Sequence, residues 1–162
     1  MLGKLIIVKQ CPHFFHIHTY NNDNEKFEVG QVISTTKYNR EGTFLNYPKR
    51  FREDEFEKVR KESFNDFPSR FSCLFLSDDI QKARYWAEKL RNRTGNIQCV
   101  EIELLSGKYV CLDEQIYNIE NFTTKEMQEE AYSYWNGDEM ERNSIIAILF
   151  EGEFRIYKEV CL

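Results

Sequence analysis

The sequence predicts one α+β domain, on three observations. The 162 residues are 41% hydrophobic, 15% aromatic and 30% charged, the balance of a globular chain rather than a disordered or membrane-spanning one. Segments with a two-residue period come in clusters with helix-period segments between them, an order that fits α+β better than a regular parallel βαβ array. No segment repeats, only three prolines occur, and no Gly/Ser-rich or single-sign tract marks a linker, so residues 1–162 are read as a single domain. At this length roughly two-thirds of the unfolded surface is buried on folding, enough for one sizeable core without disulfide or metal staples.

The elements follow in order. The run Leu5–Val8 is too short for a signal-peptide core and reads as a buried strand. Residues Phe14 to Tyr20 are aromatic and β-branched, and the two-residue period puts His16, His18 and Tyr20 on one face of a strand. Gln31 to Thr36 reads as extended after the loop Asn21 to Glu25. From Arg52 to Ser63 the pattern is a charged helix with Phe56 and Val59 inward and Asp54/Lys58 and Glu57/Lys61 as i,i+4 pairs. Asn65 to Pro68 ends it, and Phe71 to Leu76 is an apolar run of strand length. Ser77 is read as the cap of a second helix, with Asp78 and Asp79 in its first turn and Ile80, Ala83, Ala87 and Leu90 as its buried stripe. Asn92 to Gly95 closes that helix.

Ile97 to Leu105 alternates, with Val100, Ile102 and Leu104 on one face and Cys99, Glu101 and Glu103 on the other, and Tyr109 to Leu112 reads as a further strand. Thr123 and Glu126 form a capping box for a helix whose stripe is Met127, Ala131, Tyr134 and Trp135 and whose stop is Gly137. Ile145 to Phe150 and Phe154 to Val160 are strand-like, with Gly152 between them as a bulge or a turn. Trp86 and Trp135 sit among apolar helical neighbours and read as core.

Charge and motif content narrow the chemistry. With 22 Lys and Arg against 27 Asp and Glu, the net charge of −5 gives no global attraction to nucleic acid. Local positive charge remains at Lys49, Arg50 and Arg52 and at Arg84, Lys89, Arg91 and Arg93, suited either to a phosphorylated or nucleic-acid partner or to a solvated helix face. The five cysteines are odd in number, dispersed, and without CxxC spacing, and read as reduced residues of a cytoplasmic protein with no membrane partner. GxGxxG, GxxxxGK[ST], HExxH and GxSxG are missing from the sequence. His13, His16 and His18 would need a distant carboxylate or thiolate to hold a metal, and a strand of surface or hydrogen-bonded histidines explains them without one.

Phe15-His16-Ile17-x-Thr19 resembles the first strand of ADP-ribosyltransferase-like domains, which carries an aromatic-His-x-(Ser/Thr) pattern. Pro68-Ser69-Arg70-x-x-Cys73-Leu74-Phe75-Leu76-Ser77, followed by Ala83-x-x-Trp86, resembles the strand-then-helix element that builds the middle of the nicotinamide pocket in the same domains. Ala131-Tyr132-x-Tyr134-Trp135-x-Gly137 and Leu149-Phe150-Glu151-Gly152 resemble a little-studied bacterial family of unknown function taken to share that fold. The resemblance runs from about Phe14 to Val160.

What it implies is a split, mostly antiparallel sheet carrying two or three helices, and an NAD-dependent ADP-ribosyltransferase with NAD as substrate. His16, with His18 as the competing choice, would contact the ribose and carboxamide region of NAD, and Phe75 would pack near the nicotinamide. Ser77 ends the pocket strand, and Arg70 either pairs with the pyrophosphate or serves as a structural ion-pair partner. The reaction would cleave the bond between ribose and nicotinamide through an oxocarbenium-like state, which needs a carboxylate against the developing charge. The family places a Glu on a late strand where this chain has Ala147. Glu151 shares the Ala147 face if the strand runs unbulged, and Glu153 is the other carboxylate nearby. The resemblance further implies a bacterial or phage toxin or defence effector, with a protein or nucleic-acid acceptor and a neutralising partner protein. Loss of the acid would leave a non-catalytic module that binds NAD or ADP-ribose, or a small interaction protein of the same fold.

Overall fold

The computed structural model describes residues 1–39, 50–94, 96–118, 123–140 and 142–162, with backbone alone at 92–94. Its strands are β1 (Ile6–Ile7), β2 (His13–Thr19), β3 (Val32–Ser34), β4 (Leu74–Leu76), β5 (Ile97–Asp113) and β6 (Ile146–Val160). Its helices are α1 (Arg50–Ser63), α2 (Ile80–Thr94), α3 (Glu114–Tyr117) and α4 (Thr124–Asn136). The class is α+β, as expected, and all six strands belong to one curled sheet whose strand pairs are antiparallel.

The sheet is organised by one long ribbon. β5 and β6 pair from Cys99–Val160 to Asp113–Ile146. β2 lies on β5 at one end of this ribbon and β1 at the other, while β4 and β3 lie on β6 at opposite ends. Gly107 and Gly152 face each other in the middle. A Cβ at Gly107 would stand 2.1 Å from the carbonyl oxygen of Glu151, and one at Gly152 would stand 2.0 Å from that of Ser106. Only glycine permits backbones this close, and the φ angles of +117° and +152° are ones that side chains disfavour. The ribbon curls there, so that β2 and β4, which flank its opposite ends, meet at a bridge between Phe15 and Ser77.

Curling gives the sheet an inner and an outer face. Inside, Leu74, Leu76 and Ile148 of one half pack against Val100, Ile102 and Ile156 of the other. Phe150 and Phe154, on either side of Gly152, meet edge to face at 6.2 Å. Outside, α1 and α4 cover Leu112, Ala147 and Leu149 with Phe56, Tyr134 and Trp135, and Trp135 Nε1 donates to the Phe56 carbonyl at 2.8 Å. α2 covers Ile17 and Cys99 through Ala83 and Ala87. These are the stripes that the helical spacing predicts.

Several local expectations differ from the structure. The N-terminal run is no buried strand: β1 has two residues, and Ile7 is 58% exposed because only β5 pairs with it. The segments 97–105 and 109–112 are one strand, whose register slips between Leu104 and Ser106, so even-numbered residues face inward before the slip and outward after it. Gly152 is neither bulge nor turn but stays in the ladder. The α2 cap is Asp79, whose Oδ1 accepts the Lys82 N–H at 2.9 Å, while the Ser77 backbone is committed to the Phe15 bridge. On α1 the pairs are Arg50–Asp54 at 3.0 Å and Glu57–Arg60 at 2.7 Å, because the guanidinium fork reaches the carboxylates on that face. A one-turn helix, α3, joins the three expected ones. Gly95 lies outside the described residues, whereas Thr123 Oγ1 does accept the Glu126 N–H at 3.2 Å.

Candidate functional site

The corner where β2 meets β4 gathers most of the predicted residues. Phe15 and Ser77 exchange both backbone hydrogen bonds, at 2.9 and 2.8 Å. One residue on, His16 is buried and its Nδ1–H donates to the Phe75 carbonyl at 2.9 Å, which puts the proton of the neutral ring on Nδ1. His18 shares that face of β2. Its Nε2–H donates to the Glu25 carbonyl at 2.7 Å, and its ring stacks on Phe27 at 3.9 Å. Burial holds the His18 pKa below its ordinary value despite the opposing pull of Glu25.

Beside this corner lies an open cleft of about 720 Å³ between α2 and residues 143–146, lined among others by Asp79, Lys82, Tyr85, Trp86, Ile145 and Ile146. Trp86 is therefore not plain core: it is half-buried and forms part of the wall, unlike the fully buried Trp135. Tyr85 and Trp86 meet edge to face at 5.3 Å. Lys82 Nζ pairs with Asp78 at 2.6 Å and with Asp79 at 3.7 Å. Partial burial draws its pKa down, but these carboxylates outweigh that and hold it above the usual value. The cleft thus offers aromatic surface and a compensated ion pair, a setting for a planar ring with polar substituents. The rings of Phe75 and Trp86 both pack against the core cluster under α1 and α4. The Phe75 ring is accordingly on the outer face of the sheet, while its carbonyl serves His16. None of His16, His18, Arg70, Phe75, Ser77 and Glu151 lines the cleft, and none lines a second groove of about 520 Å³ along α1.

The carboxylates are placed less closely. Ala147 is 1% exposed and packs in the outer core opposite Leu112. The ladder runs unbroken from Ile146 to Glu153, so Glu151 does lie on the Ala147 face, half-buried and opposite Lys108. Four residues of strand put it roughly 13 Å from Ala147. Glu153 is exposed.

Arg70 belongs to a different structure. Its Nη1 donates to both Glu114 oxygens at 2.9 Å and to the Tyr134 hydroxyl at 2.6 Å, its Nε donates to Glu53 at 3.1 Å, and its guanidinium lies 3.8 Å over the Tyr117 ring. Burial alone would lower its pKa, but Glu114 and Glu53 outweigh this and keep it firmly charged. Of its two sequence readings, the ion-pair role is the one this geometry serves, with the Arg70 guanidinium 5.1 Å over the ring of the candidate-site residue Phe75. Burial raises the Tyr134 pKa, so the phenol stays protonated and donates to Glu114 Oε1 at 2.6 Å. Sequence reasoning missed Glu53, Glu114 and Asp113. Asp113 is fully buried and accepts N–H bonds from Gln115, Met140 and Ile145. Only the placing of two acids directly after an apolar strand hinted at this.

Of the basic clusters, Arg84, Lys89 and Arg91 are exposed along α2, as a solvated helix face would have them, whereas the cluster at the start of α1 forms no surface. Arg52 is buried and donates to the Tyr117 carbonyl, Arg50 pairs with Asp54, and Lys49 and the Arg93 side chain lie outside the described residues. Among the described residues no group of three His, Cys, Asp or Glu is arranged to hold a metal ion, and no helix is long and apolar enough to cross a membrane.

Residues 41–161 match the model of a family described as a protein of unknown function, DUF2441. No curated protein matches the chain in sequence.

Proposed function

We propose that this chain, which belongs to the DUF2441 family of unknown function, is an NAD-binding domain of the ADP-ribosyltransferase-like kind. The observation that carries the reading is the meeting, at one corner of a curled antiparallel sheet, of the separate segments that bear the resemblance. His16 of β2 is bonded to Phe75 of β4, and the helix that follows Ser77 turns Trp86 into an adjoining cleft. In this reading the nicotinamide ring lies against Trp86 and Tyr85 on the outer side of the sheet, while His16, on the inner side, holds the Phe75 carbonyl and so positions β4 next to that wall.

Turnover would break the bond between ribose and nicotinamide and pass ADP-ribose to a protein or nucleic-acid acceptor. The carboxylate that meets the developing positive charge would be Glu151, on the Ala147 face. Cytoplasmic toxin or defence activity, checked by a neutralising partner protein, is the setting this chemistry suits.

One observation favours a second reading. Ala147, where the resemblance would put the acid, is an alanine sealed in the core next to the cleft-lining Ile146, so that position brings no acid, and the domain would bind NAD or ADP-ribose without cleaving it. Calorimetry with millimolar NAD, run alongside an assay for free nicotinamide with and without candidate acceptors, separates the readings. Heat with nicotinamide release supports transfer, and heat without release supports the binding module. No heat from the wild type, or the same heat from Trp86→Ala, overturns the placement of NAD in this cleft.

A further inference from the structure

The segment between β2 and β3, residues 20–31, crosses the inner face of β2 and is tied to the sheet by backbone bonds at its ends, from Tyr20 N–H to the Asn96 carbonyl at 3.3 Å and between Gly30, Gln31 and Ile156 at 2.8 and 2.9 Å. Its anchor is Phe27. The Phe27 ring lies against His18 at 3.9 Å, against His16 at 6.2 Å and edge-on to Phe154 at 6.3 Å. Its backbone is gripped at both polar atoms by the buried amide of Gln98: Oε1 accepts the Phe27 N–H at 2.9 Å, and Nε2 donates to the Phe27 carbonyl at 3.0 Å. The second latch is the bond from His18 to the Glu25 carbonyl. On either side of Lys26 and Phe27 the segment is exposed, from Asn21 to Glu25 and from Glu28 to Gln31. Its far end turns at Gly30, where φ is +90° and nothing crowds the Cα. Between its backbone-bonded ends, one half-buried ring, a few side-chain bonds and exposed flanks describe a unit that opens below the cost of global unfolding.

We propose that residues 20–31 form a strap that seats Phe27 over His16 and His18, and that lifting this strap uncovers the aromatic slot beside His16 for a planar ring. This slot is on the inner side of the sheet, apart from the Trp86 cleft; that NAD reaches it as well rests on the reading above, and the opening itself does not.

The two latches predict how the strap responds to acid. The groups facing His18 are His16 on its own strand, Tyr20 and Glu25 on the strap, with Lys26 over the Tyr20 ring, and the uncharged Gln98 on β5. Closed, His18 is desolvated and its pKa is lowered, whereas in an open strap it returns toward the ordinary 6.5. The open state therefore takes up the proton more readily, and closure is strongest above that ordinary value and weakens as pH falls through it.

Hydrogen exchange of the 20–31 amides, corrected for intrinsic rates and read by mass spectrometry at about pH 7.5 and about pH 5.5, tests this. The wild-type strap should exchange at least about threefold faster at the lower pH while the β5–β6 amides hold their protection. Gln98→Leu should raise strap exchange at both pH values. His18→Gln, which keeps a donor but cannot titrate, should flatten the pH dependence. Strap amides that exchange only as slowly as β5–β6 in the wild type and in Gln98→Leu would overturn the strap, and pH dependence that survives in His18→Gln would overturn its latch. Added NAD gives a separate arm: a strap that opens as described but ignores NAD leaves this inference standing and counts against NAD as the ligand.

Discussion

His16 and Phe75, 59 residues apart in sequence, are tied by a hydrogen bond from the imidazole Nδ1 to a main-chain carbonyl at 2.9 Å. That bond sits one residue from the bridge that closes the curl, so a single side chain fixes the angle at which β2 meets β4. His16→Ala leaves the Phe75 carbonyl without this donor and should cost about 1–3 kcal/mol. Thermal unfolding should fall by roughly 2–4 °C per kcal/mol lost for a chain of this size. An unchanged midpoint would mean the bond contributes nothing to closure.

The buried ion-pair cluster should tolerate no single deletion. Arg70→Met strands Glu53 and Glu114, and Glu114→Gln leaves Arg70 with one carboxylate. Each should cost about 3–5 kcal/mol, because an uncompensated charge is left away from water. Arg70→Lys should not restore stability, since an ammonium cannot serve Glu53, both Glu114 oxygens and Tyr134 at once. Urea midpoints of the three variants check this, and a Lys variant as stable as the wild type would contradict it.

The glycine pair sets the curl. Gly107→Ala or Gly152→Ala would press a methyl group into a facing backbone at about 2 Å and should prevent folding or leave a protein that has lost its near-ultraviolet circular dichroism. Gly30→Ala, with the same formal change in open space, should cost only about 1 kcal/mol from its backbone conformation.

Thiol reactivity should divide by burial. None of the five cysteines is in a disulfide, with Cys11 and Cys161 exposed and Cys73 and Cys99 buried. Desolvation pushes the Cys99 thiol up to about 11, so near pH 8 only about one molecule in a thousand carries its thiolate. Timed alkylation with peptide mapping should label Cys11 and Cys161 first, with Cys99 labelled only on denaturation. Early labelling of Cys99 in the native protein would contradict its place beneath α2.

If the domain cleaves NAD, Glu151→Gln should retain binding and lower nicotinamide release about 10²-fold, the scale of losing one preorganised charge. Glu153→Gln, at an exposed position, should change little. Equal turnover in both variants of an active protein would place the acid elsewhere.

The sequence by itself determined the pieces. Periodicity located β2, α1, α2, α4 and the inward stripes Ala83/Ala87 and Met127/Ala131/Tyr134/Trp135, because burying one face of a helix or strand writes its period into the chain. The pairing of His16 with β4, the curl at Gly107 and Gly152, and the face reversal after Leu104 were decided only in three dimensions. Each depends on two segments far apart in sequence, and neither segment alone encodes the contact. The same holds for charge. Arg70 leaves an anion-binding and an ion-pair reading open, and Glu53, Glu114 and Asp113 give little local sign of burial, since isolated ions belong in water. Only packing α1, α3 and α4 around Arg70, and three backbone N–H groups around Asp113, supplies the partners that let them be buried.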